Sequence, residues 1–174
     1  GLAGTTRNSL TKADQLERLI ADLFAYTRIE YMGEALSTRE TDIAGLLRAI
    51  VDAARPRADE RGIALSVDAP EAPIVVVADD HLLTRAIENI VDNALRHTPE
   101  GGTVRVSARS GDEGVTITVT DSGPGFAEED LPHVFEPLYR AESSRNRETG
   151  GAGLGLTVAH RIVTAHGGTL VARN

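Results

Sequence analysis

The residues best suited to chemistry begin with Asn89 and Asn93, one helical turn apart in an apolar-periodic segment and followed by Arg96 and His97. Side chains at i and i+4 share a helix face. An amide oxygen such as that of Asn93 suits Mg2+, which takes oxygen ligands and binds through few protein groups plus substrate phosphates. Arg96 and His97 would then stand near those phosphates. The competing reading is a polar face turned to water. Asp121 ends a segment, Val115-Thr116-Ile117-Thr118-Val119-Thr120-Asp121, whose odd-numbered positions share one strand face. Its carboxylate therefore points the way of the apolar residues, where it needs a hydrogen-bond donor. The amino group of an adenine is one such donor, and an Asx-turn capping the following Ser-Gly-Pro-Gly bend is the other solution.

Two glycine clusters bracket a polar segment, Gly123 and Gly125 on one side and Gly150, Gly151, Gly153 and Gly155 on the other. Together they describe a hinged flap. The downstream cluster opens an apolar helix at Leu154, so its backbone N–H groups face the place where phosphate oxygens are favoured. Within the flap, Phe135, Leu138 and Tyr139 are the bulky apolar cluster expected to dock it. Arg140, with Arg145 and Arg147 as weaker candidates, is placed to reach a terminal phosphate, or else pairs with Glu142 and Glu148 on a solvated loop. A dinucleotide fingerprint must follow a strand directly; here the glycines follow Arg145-Asn146-Arg147-Glu148-Thr149, which no strand pattern fits.

Composition narrows the field. The chain has 174 residues, enough for one sizeable core. It is 41% hydrophobic but only 3% aromatic, so Val, Leu, Ile and Ala must fill that core. A net charge of −8 argues against nucleic acid as a partner. No apolar run approaches ~20 residues, and no signal peptide is visible. There are no cysteines, hence no disulfide framework and no thiolate metal site; this fits a reducing compartment. The five histidines show no metal-ligand spacing and read as surface or packing residues. Lys12 is the one lysine. A Walker-type phosphate loop needs a lysine directly after its last glycine, and a protein-kinase fold needs one on a strand. Both classes are excluded by residue type.

The elements that must position these residues follow from periodicity. Residues 1–8 carry no pattern. Leu16, Leu19, Ile20, Leu23, Phe24 and Thr27 predict a helix over 9–32, roughly 35 Å long. One helix cannot bury that stripe alone, which points to a bundle shared with a second copy of the chain, or to a helix folded back on its own domain. Residues 31–41 read as a linker. Asp42 is the N-cap of the next helix, with Ile43, Leu46, Leu47, Ile50, Val51 and Ala54 as its core stripe and Pro56 expected to kink or end it. Ile63, Leu65 and Val67 alternate as a strand, and 74–78 form a second. A helix over 79–95 carries Leu83, Ile87, Ile90, Val91 and Ala94 on its apolar face. Segments 103–109 and 115–121 make a hairpin. A last helix, 154–166, ends at Gly167, and 169–172 begin a strand. The fold class is α+β: a two-layer sandwich, a mixed sheet covered by helices on one face, with a lid.

With these residues in place, the chain from about residue 9 onward resembles the ATP-binding catalytic domain of bacterial sensor histidine kinases. Asn89-Ile90-Val91-Asp92-Asn93-Ala94-Leu95-Arg96-His97-Thr98 is similar to that family's N box, and Asp121-Ser122-Gly123-Pro124-Gly125 to its first glycine box. Phe135-Glu136-Pro137-Leu138-Tyr139-Arg140 resembles its F box, and Gly151-Ala152-Gly153-Leu154-Gly155-Leu156 its second glycine box, with His166-Gly167-Gly168 also typical. Four motifs in order are far more specific than one. The resemblance implies the ATP-binding sandwich shared with gyrase, Hsp90 and MutL, with ATP and Mg2+ as ligands. It assigns the metal to Asn93, phosphate positioning to Asn89 and the adenine amino group to Asp121. Arg96, His97, Gly123, Gly125, Gly151, Gly153, Leu154 and Gly155 line the same site, and Arg140 joins Asn89 and Asn93 in catalysis.

The same resemblance makes residues 1–40 the second helix of a dimerisation and phosphotransfer bundle plus linker, and residues 41–174 the catalytic domain. The implied partners are the phosphoacceptor helix of the parent kinase, a response regulator and a second copy joined through the N-terminal helix. The implied setting is the cytoplasmic part of a parent anchored in the bacterial membrane. Residues 1–40 contain no histidine, so the chain is expected to begin after the acceptor, and to stop about one strand early. Leu138 stands where the family often has Phe. ATPase relatives place a glutamate base four residues before the metal-binding asparagine. Here that position is Asn89, and Glu88 lies about 100° round the helix, which favours transfer over hydrolysis.

Overall fold

The computed structural model describes residues 20, 27, 36–112, 114–139 and 153–174. Apart from Ile20 and Thr27, which are helical, the expected N-terminal helix lies outside the described residues, as do Gly151, Arg140, Arg145 and Arg147.

Asp42 is the first organising residue. Its carboxylate accepts from the N–H groups of Ala44 and Gly45, both at 3.1 Å, and from that of Ile74 at 3.0 Å. It thus caps helix α1 (Ile43–Glu60) and fastens the cap to the approach of a later strand. Ile43, Leu47, Ile50, Val51 and Ala54 are buried along one stripe, as the spacing predicts. Pro56 does not end the helix, which runs on to Glu60. Pro56 and Asp52, whose carbonyl loses its intrahelical donor, are both exposed, so water can serve that carbonyl, while Ala54 and Ala58 stay buried on the other side.

Strand β1 (Arg39–Asp42) pairs antiparallel with β3 (Val75–Ala78) in a two-stranded ribbon. A linker was expected over the first three of the β1 residues, Arg39–Thr41. Between them in sequence lies β2 (Ala64–Asp68), which joins a separate three-stranded sheet in the order β2, β4 (Thr103–Gly111), β5 (Gly114–Asp121). β2 runs parallel to β4 and β5 antiparallel to it, so the sheet is mixed. The strands therefore fall into two sheets rather than one. Val104, Val106 and Ala108 are fully buried, while Arg105 and Arg109 on the opposite face are exposed. Along β5, Val115, Ile117 and Val119 are half-buried against the same core and Thr116, Thr118 and Thr120 face water. One sheet face is covered and the other is wet, which is the two-layer α+β sandwich read from the sequence.

Helix α2 (Asp80–His97) begins at Asp79, whose Oδ1 accepts from Leu82 N–H at 3.1 Å. Ile87, Val91, Ala94 and Leu95 enter the main core, and Ala86 enters a second cluster with Val158, Ala159 and Ile162 of α3 (Gly155–Ala165). Gly167, at φ 75°, follows the end of α3 as expected of a C-terminal cap. Residues 168–174 are not a strand. Leu170 packs on the α2–α3 cluster, and the Asn174 carboxamide pairs with the Phe126 backbone at 2.7 and 2.9 Å in place of a ladder.

Candidate functional site

Helix α2 carries the site along one side. Asn89 and Asn93 are half-buried rather than turned to water. At Asn89 the neighbour is the first turn of α3: a Cβ placed on Gly155 would lie 3.6 Å from Asn89 Cγ and 3.7 Å from its Oδ1. Leu154, at the N-cap position of α3, supplies no side-chain hydrogen bond. The residue at the N-cap of α3 thus adds no acceptor to the helix's leading N–H groups, and a helix N-terminus of this kind suits an anion.

At the other end of α2, His97 meets the turn that follows β5. A Cβ on Gly123 would stand 3.0 Å from the His97 carbonyl oxygen. The turn is held by Ser122, whose N–H donates to the Thr103 carbonyl at 3.0 Å and whose hydroxyl accepts from Thr103 N–H at 2.9 Å. Asp121 is paired with Val104, so its side chain emerges on the helix-covered face. It is nevertheless exposed. The strand face is the expected one, but the carboxylate is not buried. Its Oδ1 accepts from Gly123 N–H at 2.8 Å, the Asx-turn. Asn89, Asn93 and His97 are spaced at i, i+4 and i+8, so about 12 Å of helix separates the α3 terminus from the Asp121 turn. Arg96 is exposed on the same last turn, and its carbonyl accepts from Arg61 at 3.2 Å.

An ion pair that periodicity could not reveal supports the middle of α2. Arg57 Nη1 of α1 lies 2.7 Å from Asp92 Oδ1, next to Asn93. Glu88, by contrast, is exposed. Among the described residues no cluster of three His, Cys, Asp or Glu side chains could hold a metal. Asn93, with an amide oxygen, fits an ion whose other ligands are phosphate and water.

The described part of the flap, residues 122–139, runs as turns with a 3-10 turn at Leu131–His133 and is largely exposed. Val134 is buried, and Phe135 stacks on His160 of α3 with ring centroids 5.0 Å apart. Tyr139 donates its hydroxyl proton to Asp130, and that bond holds the phenol above its ordinary pKa. Leu138, expected to dock the flap, is instead 66% exposed with φ 63°. Its backbone does the holding: Leu138 N–H donates to the Gly153 carbonyl at 3.2 Å, and Gly153, at φ 72°, is so close that a Cβ there would lie 2.8 Å from the Tyr139 oxygen. Gly125, at φ 69°, turns beside Asn174. Sequence reasoning missed Val134, His160 and the Arg57–Asp92 pair. Only Val134 left a trace, as an apolar residue beside Phe135.

Residues 78–174 match the family described as histidine kinase-, DNA gyrase B- and HSP90-like ATPases. The chain is 36% identical over 157 residues to the signal transduction histidine-protein kinase BaeS of Escherichia coli K12, covering 90% of this chain and 33% of BaeS. It is 32% identical over 161 residues to the sensor-like histidine kinase SenX3 of Mycobacterium tuberculosis, covering 92% of this chain and 39% of that one. The chain thus spans about a third of the length of these relatives. Among solved structures, full-length ShkA in complex with AMPPNP superposes with a TM-score of 0.77 at 28% identity, over 99% of this chain and 37% of ShkA. The Acinetobacter baumannii histidine kinase AdeS shares the fold at a TM-score of 0.72 and 24% identity, over 92% of this chain and 72% of AdeS. Motif order, sheet arrangement and family match agree: the chain belongs to the histidine kinase-, DNA gyrase B- and HSP90-like ATPases.

Proposed function

We propose that this chain is the ATP-binding catalytic part of a sensor histidine kinase, passing the γ-phosphoryl of Mg·ATP to a histidine outside it. The observation that carries this reading is the arrangement along α2, with the N-terminus of α3 against Asn89 and the Asp121 turn against His97. The two ends are separated by a length suited to an extended nucleotide. Asp121 has a second carboxylate oxygen for the adenine amino group. Phosphates lie toward the N-terminus of α3, at Gly153, Leu154 and Gly155, with Asn89 orienting them and Arg96 and Arg140 supplying further donors, while His97 stands toward the adenine end. Asn93 holds Mg2+, which neutralises phosphate charge when bound.

Transfer is favoured over hydrolysis because the position a glutamate base would occupy is Asn89, while Glu88 faces away into solvent. The acceptor nitrogen bonds to the γ-phosphorus as the β–γ bridging P–O bond breaks and ADP leaves. Positioning and charge neutralisation carry such a reaction. Residues 1–40 belong, on this reading, to a dimerisation helix and linker, and residues 41–174 to the catalytic domain. A response regulator receives the phosphoryl group in turn. Relatives bearing sensor names fit a parent anchored in a membrane with this part on the cytoplasmic side; no described helix is long and apolar enough to cross one.

The test is incubation with labelled Mg·ATP and a separate polypeptide carrying an acceptor helix. An acid-labile label on the acceptor is expected, with none on the chain alone. Calorimetry showing no affinity for Mg·ATP, or tight binding without any transfer, defeats the kinase reading.

A further inference from the structure

His166 had no role in the reading above, yet both ring nitrogens are engaged. Nδ1 donates to the Ile162 carbonyl of α3 at 2.8 Å, and Nε2 accepts from the backbone N–H of Asp79 at 3.0 Å. A backbone N–H can only donate, so the ring is the neutral tautomer with its proton on Nδ1. Asp79 is itself a junction. It is buried, its Oδ1 caps α2 through Leu82 N–H, and its Oδ2 accepts from Ser37 N–H at 3.1 Å. The last turn of α3 is therefore tied directly to the first residue of the α2 cap.

The first residue of α3 meets the middle of α2 at Gly155 and Asn89. About 15 Å of α2 separates Asp79 from Asn89, and about 16 Å of α3 separates His166 from Gly155. Two antiparallel legs of nearly equal length are pinned together at one end and face each other across the site at the other. Ala86, Val158, Ala159 and Ile162 fill the space between them. Close-packed helices move as units, so a slide or tilt at the pinned end is delivered to the far end.

We infer that His166 is a positioning residue for the nucleotide, acting through Asp79 to set the spacing between Asn89 on α2 and the first turn of α3. The inference rests on the proposed nucleotide site. It assigns the histidine of His166-Gly167-Gly168 a task about 16 Å from any phosphate.

The two amide substitutions separate positioning from mere packing. In His166→Gln the side-chain oxygen reaches the place of Nε2 and still accepts from Asp79 N–H. In His166→Asn the shorter amide reaches only the place of Nδ1 and restores the bond to Ile162 alone. Calorimetry with Mg·ATP is expected to show about tenfold weaker binding for His166→Ala and His166→Asn, and within about twofold of the parent for His166→Gln. Without nucleotide, the Gly155 backbone amide and Asn89 side-chain amide resonances should shift in the Ala and Asn variants and return in Gln. Equal affinity in all four proteins, or loss that follows thermal stability with no resonance shift, overturns the inference. A parent chain that binds no Mg·ATP overturns the nucleotide reading instead, and unshifted resonances would then dispose of the joint as well.

Discussion

Asp121 and Gly123 are joined by a 2.8 Å hydrogen bond that occupies one carboxylate oxygen, Oδ1, and does not use the other. The two readings of this residue, turn cap and ligand acceptor, are thus compatible: one oxygen shapes the bend and the second is available to a base.

Asp121→Asn separates the two roles. The amide oxygen still accepts from Gly123, so the thermal midpoint should hold, while the amide nitrogen replaces the acceptor offered to adenine. Losing a charged hydrogen bond costs about 1.5–3 kcal/mol, so ATP should bind about 10–100-fold more weakly. Calorimetry alongside a melt checks it; unchanged affinity removes Asp121 from the site.

Asp42→Ala strips the acceptor from three N–H groups at once, two in α1 and one at Ile74. We expect a loss of about 2 kcal/mol and a midpoint lower by about 5 °C, read by thermal or denaturant unfolding. A change below about 0.5 kcal/mol would show that water replaces the cap at no cost.

Gly153→Ala attacks the base of the flap. A left-handed φ of 72° disfavours alanine, and the new Cβ meets backbone atoms of Leu138 and Tyr139 rather than a yielding side chain. With about 1 kcal/mol at stake locally, hydrogen exchange at the Leu138 amide should accelerate at least about fivefold, with little change at the Val106 amide in β4.

Asp80 gives a pH prediction. The Arg39 guanidinium, hydrogen-bonded to its carboxylate, holds Asp80 below the usual carboxylate range. A depressed folded-state value means that the contribution is complete above the unfolded value of about 3.9 and is lost as pH falls through the folded one. Carboxyl carbon shifts followed by NMR should place the Asp80 transition higher in Arg39→Gln than in the parent. Coincident curves would show that the ion pair does not persist in solution.

What could be read from the chain was whatever repeats with a period. The stripe through Ile43, Leu47, Ile50, Val51 and Ala54 and the alternation in β4 and β5 fixed elements and faces, because burial on one side writes itself into spacing. The four motifs supplied the order of the site along α2. What could not be read was decided by partners. Arg39-Glu40-Thr41-Asp42 has no apolar alternation and becomes a strand because β3 offers it a ladder. Pro56 is harmless only because its side of the helix meets water. Phe135, Leu138 and Tyr139 looked equivalent as a cluster, yet backbone geometry turned Leu138 outward and left docking to Val134 and to the Phe135–His160 stack. His166 looked like a terminus marker, and only three-dimensional contact showed what it holds.

The bond between Leu138 N–H and the Gly153 carbonyl brings two distant points of the sequence to one spot. With those two points already joined, the length of sequence between them matters little, since each doubling of a closed loop costs only about 0.6 kcal/mol in closure entropy. Evolution, or an engineer, can therefore change that length while Asn89, Asn93 and Asp121 stay where they are.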